Sequence, residues 1–289
     1  MRTPRPGYST EGRRRSGGKA GVTETDQALE AVNITKHFGS VAALDGVNLV
    51  VHPGEVVGLI GDNGAGKSTL LSILAGTLAP TSGEVRVGTE VHAHATPLNS
   101  RRLGIETVYQ DLSLALHLDV ADNVFLGREQ CVSGWRRHLG WLDRKAMQRR
   151  SSEAIATLHM ALPSVTVPCA QLSGGQRQAV AVARAVIWSK GITLLDEPTA
   201  ALGVGEQERV FHIIDGLRQK GGAVIIVSHN LDQIRRVADR IVVLRHGRVA
   251  AEVSPETSTV QELALLIVGP GESNDGPENA LGPGGPDSR

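Results

Sequence analysis

Gly61-Asp62-Asn63-Gly64-Ala65-Gly66-Lys67-Ser68 follows a short apolar run, Glu55-Val56-Val57-Gly58-Leu59-Ile60, and precedes Thr69-Leu70-Leu71-Ser72-Ile73-Leu74. The octet fits G-x-x-x-x-G-K-[ST] in the strand, loop and helix context that gives the pattern its meaning. Its glycines let backbone N–H groups turn inward around β- and γ-phosphates, at a helix N-terminus whose dipole favours anions. Lys67 adds a point charge to the same phosphates, and Ser68 offers a hydroxyl to Mg²⁺. The stretch reads as a nucleoside triphosphate site set on a buried parallel strand.

Working outward, the chain alternates strands and helices as α/β proteins do. Ile192-Thr193-Leu194-Leu195 and Ala223-Val224-Ile225-Ile226-Val227 are two more buried-strand runs, each ending in polar residues. Between them Val210, Phe211, Ile213, Ile214 and Leu217 share one face of a helix. Residues 241–244 and 248–253, split by His246-Gly247, predict a terminal hairpin. From about residue 98 to 189 no strong strand is visible; this middle reads as mostly helical, with Arg- and Trp-bearing loops around Trp135 and Trp141. There is no internal repeat.

Leu194-Leu195-Asp196-Glu197-Pro198 ends an apolar strand in two adjacent carboxylates. In P-loop proteins the strand beside the loop carries an aspartate that orders the Mg²⁺ shell, the role expected of Asp196. Glu197 leaves the strand end with a different aim, and a positioned base contributes ~10²–10⁴-fold. His229 follows the next strand in Val227-Ser228-His229; by itself a histidine there is more often structural than catalytic.

Leu172-Ser173-Gly174-Gly175-Gln176 lies between the phosphate loop and the acidic strand end, opening an alanine- and valine-rich helix that runs to Trp188. LSGGQ resembles the signature of the ATP-binding cassette (ABC) ATPases. Five motifs stand in that family's order: GDNGAGKST, the loop at Gln110, LSGGQ, LLDEP and SH. The resemblance covers about residues 29–268. It implies an α/β fold, a P-loop core of ABC type with an antiparallel β-subdomain and a helical subdomain at about 98–189. It also implies an ATPase in which ATP closes two such domains and hydrolysis reopens them.

On that resemblance ATP is held by Gly61, Asp62, Asn63, Gly64, Ala65, Gly66, Lys67, Ser68 and Thr69. Phe38, in Lys36-His37-Phe38-Gly39, would lie against adenine, with a core role as its rival. Ser68, Gln110 and Asp196 would reach Mg²⁺; Glu197 would polarise the attacking water; His229 would be the switch histidine touching the γ-phosphate. Glu197, His229 and Lys67 form the implied catalytic set. Ser173, Gly174, Gly175 and Gln176 would grip the nucleotide of a second copy. The physics agrees, because a helix start there makes a second anion-receptive end and one ATP needs only one cradle.

Val108-Tyr109-Gln110-Asp111-Leu112, Asn123-Val124-Phe125-Leu126-Gly127-Arg128-Glu129 and Pro198-Thr199-Ala200-Ala201-Leu202-Gly203 look like the ATPases of bacterial ribose-, xylose- and fructose-type importers. That implies a second ATPase copy, an integral membrane permease and a periplasmic or extracellular solute-binding protein as partners, and no nucleic acid. The chain would sit on the cytoplasmic face of the membrane, docked through the arm near 110–129. Two departures stand out. Gly203 occupies the place where most ABC proteins have Asp, which importers of the sugar type often share and which puts any contact through an aspartate there in doubt. Many sugar-importer ATPases also carry two cassettes, whereas this chain carries one and must pair with itself or a separate partner. The rivals are an ABC ATPase for import or export of another solute, and a soluble one acting on ribosomes or DNA. Neither a second P-loop nor a sustained heptad supports the last.

Composition narrows the field further. The 289 residues are 40% hydrophobic and 21% charged, as in ordinary globular proteins. Lys+Arg and Asp+Glu both total 30, which argues against bulk attraction to nucleic acid or anionic membrane. Cys131 and Cys169 form no metal-type spacing and read as incidental thiols of a reducing compartment. No apolar run reaches the ~18–20 residues of a membrane span, and no secretory-type stretch follows the N-terminal arginines, so the expectation is a protein neither exported nor integral. Residues 1–28, with Arg13-Arg14-Arg15, and 269–289 read as disordered tails. His92 and His94 form an H-x-H with no third ligand and are expected on a surface strand.

Overall fold

Two long strands open the described chain, β1 (Leu29–Phe38) and β2 (Val41–Val51), paired antiparallel. β3 (Val56–Ile60) leads through the phosphate loop into α1 (Lys67–Leu74), and β4 (Ser82–Val87) and β5 (Glu90–Val91) follow. Next come α2 (Pro97–Arg102), β6 (Ile105–Val108), α3 (Val120–Phe125), α4 (Arg144–Thr157) and α5 (Gly174–Trp188). The last third holds β7 (Ile192–Asp196), α6 (Val204–Gln219), β8 (Ala223–Val227), α7 (Leu231–Val237), β9 (Arg240–Arg245), β10 (Arg248–Val253) and α8 (Val260–Val268). The computed structural model describes residues 28–91, 96–132, 140–157, 162–200 and 202–269. The expected tails, apart from Ala28 and Gly269, lie outside those residues, as do His92, His94 and Trp135.

The strands form two sheets. One is antiparallel, in the order β2-β1-β4-β5; the other runs β10-β9-β3-β8-β7-β6, parallel except for the β9–β10 hairpin. β3, β7 and β8 are buried along their whole length, as strands covered on both faces must be. Val57 and Leu59 join a core shared with α1 and the antiparallel sheet, while Val56 and Ile60 join the opposite core under α6, α7 and α8. Each leucine fully buried this way contributes about 1.5–3 kcal/mol.

A third core, around Phe125, Met147 and Val180, belongs to the helical arm. α5 takes part in two cores at once: Ala181 and Ala185 face the sheet side, Val180 and Ala183 the arm. Its small side chains, Ala179, Ala181, Ala183 and Ala185, let sheet and arm approach it from different sides. Trp188 closes the joint, packing edge-on to Phe125 at 5.3 Å and donating its indole N–H to the Val124 carbonyl at 2.9 Å.

Two sequence expectations need correction. The middle of the chain is not helical throughout: β6 joins the central sheet beside β7, so the chain up to Val108 belongs to the core. β6 is four residues long and interrupted by Glu106, which hid its apolar character. β8 runs between β3 and β7, yet Asp196 at the end of β7 still shares a cavity with the phosphate loop. The hairpin is not terminal either, since α8 follows it and packs on β9.

Candidate functional site

β3 delivers the chain into a loop that ends at Gly66, the residue capping α1 with φ 103. A Cβ at Gly66 would sit 2.6 Å from the Ala43 carbonyl oxygen, so β2 and the loop can approach this closely only at glycine. Lys67 Nζ arches back over the loop and donates to the carbonyls of Gly61 (2.8 Å) and Asp62 (2.9 Å). Burial lowers the Lys67 pKa below the usual lysine value; the negative charges of Glu197, Asp62 and Asp196 oppose it. Gly247, in the β9–β10 turn, braces the loop by donating to the Ala65 carbonyl at 3.1 Å.

Asp196 ends β7 nearly buried. Desolvation first, then the neighbouring charge of Glu197, holds its carboxyl above the usual range, with Lys67 pulling the other way. Such a group gains most from a cation brought beside it. Glu197 sits at φ 49, left-handed backbone that a residue with a side chain seldom adopts. Its amide donates to the Val227 carbonyl (2.9 Å), which ties it to β8. Its Oε1 accepts the His229 backbone N–H at 2.9 Å and lies 2.8 Å from His229 Nδ1, while Ser228 Oγ donates to Oε2 at 3.3 Å.

These elements converge on a cavity of about 490 Å³. Gly61, Asp62, Asn63, Lys67, Ser68, Gln110, Asp196, Glu197 and His229 line it, so one cavity unites residues from widely separated parts of the chain. Gly64, Ala65, Gly66 and Thr69 complete the loop and first helical turn behind it. A hydroxyl, an amide oxygen and a carboxylate, from Ser68, Gln110 and Asp196, make an all-oxygen donor set of the kind Mg²⁺ accepts. Sequence reading gave no site role to Ile60, Val227, Ser228, Leu231 or Ile267, which also form the wall. Ser228 adjoins His229 and could have been found from it; Ile267 comes from α8, which carried no motif.

Phe38 and Ser173–Gln176 are not among the cavity residues. Phe38 ends β1 51% exposed, with Lys36 Nζ 5.2 Å from its ring centre, which excludes the core role. Ser173 caps α5 in a reciprocal box: its Oγ accepts the Gln176 amide at 3.2 Å and Gln176 Oε1 accepts the Ser173 amide at 3.0 Å. Ser173 and Gly174 face solvent.

A second cavity, about 400 Å³, opens between arm and core beside Tyr109. Arg101, Arg128 and Arg184 line it with one carboxylate, Glu106. Arg128 pairs with Glu106 and lies 4.9 Å over the Trp188 ring. Arg184 donates to the carbonyls of Ser113 (3.1 Å) and Leu112 (3.2 Å), holding the chain that leaves Gln110.

The family described as ABC transporter matches residues 44–200. The chain is 39% identical over 246 residues to a fructose import ATP-binding protein of Rhizobium meliloti, covering 83% of this chain and 94% of the relative. It is 43% identical to a xylose/arabinose import ATP-binding protein of Sulfolobus acidocaldarius, covering 83% and 93%. A ribose import ATP-binding protein of Rubrobacter xylanophilus is 42% identical, but there the chain spans only 44% of the relative's length. Among solved structures, a dimeric ATP-binding cassette in a post-hydrolysis state with ADP and phosphate superposes with TM-score 0.69 at 28% identity, over 78% of this chain and 98% of the other. A nucleotide-free cassette from an ABC transporter gives 0.70 at 26%, over 84% and 96%. Among the described residues no helix is long and apolar enough to cross a membrane.

Proposed function

Because this chain belongs to the ABC transporter family, we propose that it is the ATP-hydrolysing subunit of a monosaccharide importer, energising uptake through a separate membrane permease. The observation that carries the sugar assignment is its likeness, over nearly their whole length, to the fructose and xylose/arabinose import proteins. The reaction is hydrolysis of ATP. The loop from Gly61 to Thr69 takes the phosphates, and Phe38 offers its exposed ring to the base. Ser68, Gln110 and Asp196 would hold Mg²⁺, which when bound would neutralise charge on the phosphate oxygens. Glu197 accepts the proton of the attacking water, aimed by its three hydrogen bonds from Ser228 and His229. His229 then reaches the γ-phosphate, and Ser173 to Gln176 of a second copy close over it.

The permease fits the second cavity. Its three arginines against one carboxylate suit a cytoplasmic segment carrying an acidic side chain, and Arg184 links that contact to the Gln110 loop. A solute-binding protein outside the membrane delivers the sugar. The chain is thus peripheral, held at the cytoplasmic face by the permease. Purifying the tagged full chain from detergent-solubilised membranes tests this. A polytopic membrane protein should accompany it, and cells carrying Lys67→Ala should lose uptake of one monosaccharide. Co-purifying ribosomal RNA or DNA, with sugar uptake intact, would overturn the proposal.

A further inference from the structure

The loop from Glu197 to α6 departs from the family pattern at Gly203, and the structure shows what stands in. Gly203 caps α6 with no side chain of its own. Its amide donates instead to Glu206 Oε2, three residues on, at 3.3 Å. The same carboxylate reaches the signature loop. A Cβ built on Gly175 would lie 2.6 Å from Glu206 Oε2 and 2.9 Å from Oε1, so the carboxylate fills the space a side chain would take there. Gly174, its exposed neighbour, meets nothing within 4 Å. The start of α5 therefore has an inner side taken by Glu206 and an outer side left open. A carboxylate is favoured at a helix N-terminus, so the placement is electrostatically sound.

The loop is tied at two further points. Gln178, on α5, donates its side-chain N–H to the Pro198 carbonyl at 2.8 Å, and Thr199 Oγ1 donates to Gln233 Oε1, on α7, at 2.6 Å. The segment leaving Glu197 is thus bound both to the signature helix and to the helix that follows His229.

We propose that Glu206 is a positioning residue that replaces the aspartate absent at Gly203, seating the signature loop and the loop after Glu197 on one carboxylate so that they move together. Closure of Ser173 and Gly174 on a second copy's nucleotide is thereby felt at Glu197 of the same chain. The inference rests on the reading that Ser173–Gln176 complete the ATP site of a second copy.

The test uses the full chain carrying Glu197→Gln, with Glu206→Ala alone and with Glu206→Ala plus Gly203→Asp. Gly203 has φ −69 and ψ 161, and an added Cβ meets nothing within 4 Å, so aspartate is accommodated there. Glu206→Ala should raise the ATP concentration that half-saturates dimer formation by about tenfold, a usual size for coupling between sites. In the chain with native Glu197 it should flatten the cooperativity of hydrolysis. Nucleotide affinity of the isolated monomer should stay unchanged, which a merely structural defect would not allow, and Gly203→Asp should restore dimer formation. Dimer formation at the parent's ATP concentration, or a loss that weakens monomer binding equally and is not restored by Gly203→Asp, overturns the role of Glu206. A parent that binds ATP and stays monomeric overturns the shared-site reading instead.

Discussion

Glu197 and Asp196 are adjacent in sequence yet chemically opposed, and the backbone explains why. Asp196 is the last residue of a buried strand; Glu197 turns to φ 49, which swings its carboxylate to the end of β8. Left-handed backbone costs on the order of 1 kcal/mol for a residue with a side chain and persists because its surroundings hold it, here the Val227 carbonyl and three donors. Replacing Glu197 with Gln keeps the shape and removes the proposed base. Hydrolysis should fall by ~10²–10⁴-fold while ATP binding persists and an ATP-bound dimer accumulates, measured by phosphate release and gel filtration. Normal turnover in that variant would sink the role given to Glu197.

The arm and the core meet at the Glu106–Arg128 pair, between β6 and the chain that follows α3. Burial holds the Glu106 carboxyl above the usual range, and Arg128 pulls it down. Arg128→Ala removes the largest opposing pull and leaves those of Arg101 and Arg184, so the folded-state pKa climbs further above the unfolded value. A group raised in this way favours the folded state at low pH and loses that contribution as pH rises through its folded pKa. The variant should therefore be destabilised by about 3 kcal/mol at about pH 8 and by much less at about pH 5, read from urea unfolding. A loss equal at both values would assign the cost to the vacated cation–π contact over Trp188 rather than to the stranded carboxylate.

The cavity of a single chain gathers the phosphate loop, the acids and His229, while the start of α5 stays outside it and open to solvent. Two chains related by a two-fold axis can complete both sites at once, each lending its signature loop to the other. Mixing makes this measurable. Lys67→Ala and Ser173→Arg chains, each inactive alone, should together form mixed pairs with one intact site and recover up to about a quarter of wild-type ATPase, since about half of the pairs are mixed. A chain carrying both substitutions leaves no intact site when paired with wild type. Wild-type pairs then leave about a quarter of wild-type activity; if instead each chain hydrolysed ATP within itself, the first mixture would stay inactive and the second would keep about half.

The chemistry was legible in the sequence because it is local. A phosphate loop, an acidic strand end and a helix start each act through backbone held within a few residues, and Gly61–Ser68, Leu194–Pro198 and Leu172–Gln176 kept their expected forms. Strand order was not legible: β8 between β3 and β7, and β6 hidden behind its single Glu106, are decided by which buried faces pack together. The same is true of Gly203. Its departure could be read from the chain, but the carboxylate that answers it is placed by the packing of α6 on α5, and contacts between helices depend on where whole elements come to rest. The sequence alone carried the reading of the chain as an ATPase of the ABC family and the proposal that its site is divided. Only the tertiary structure decided how the two halves are joined within the chain, because that depends on distances no local pattern encodes.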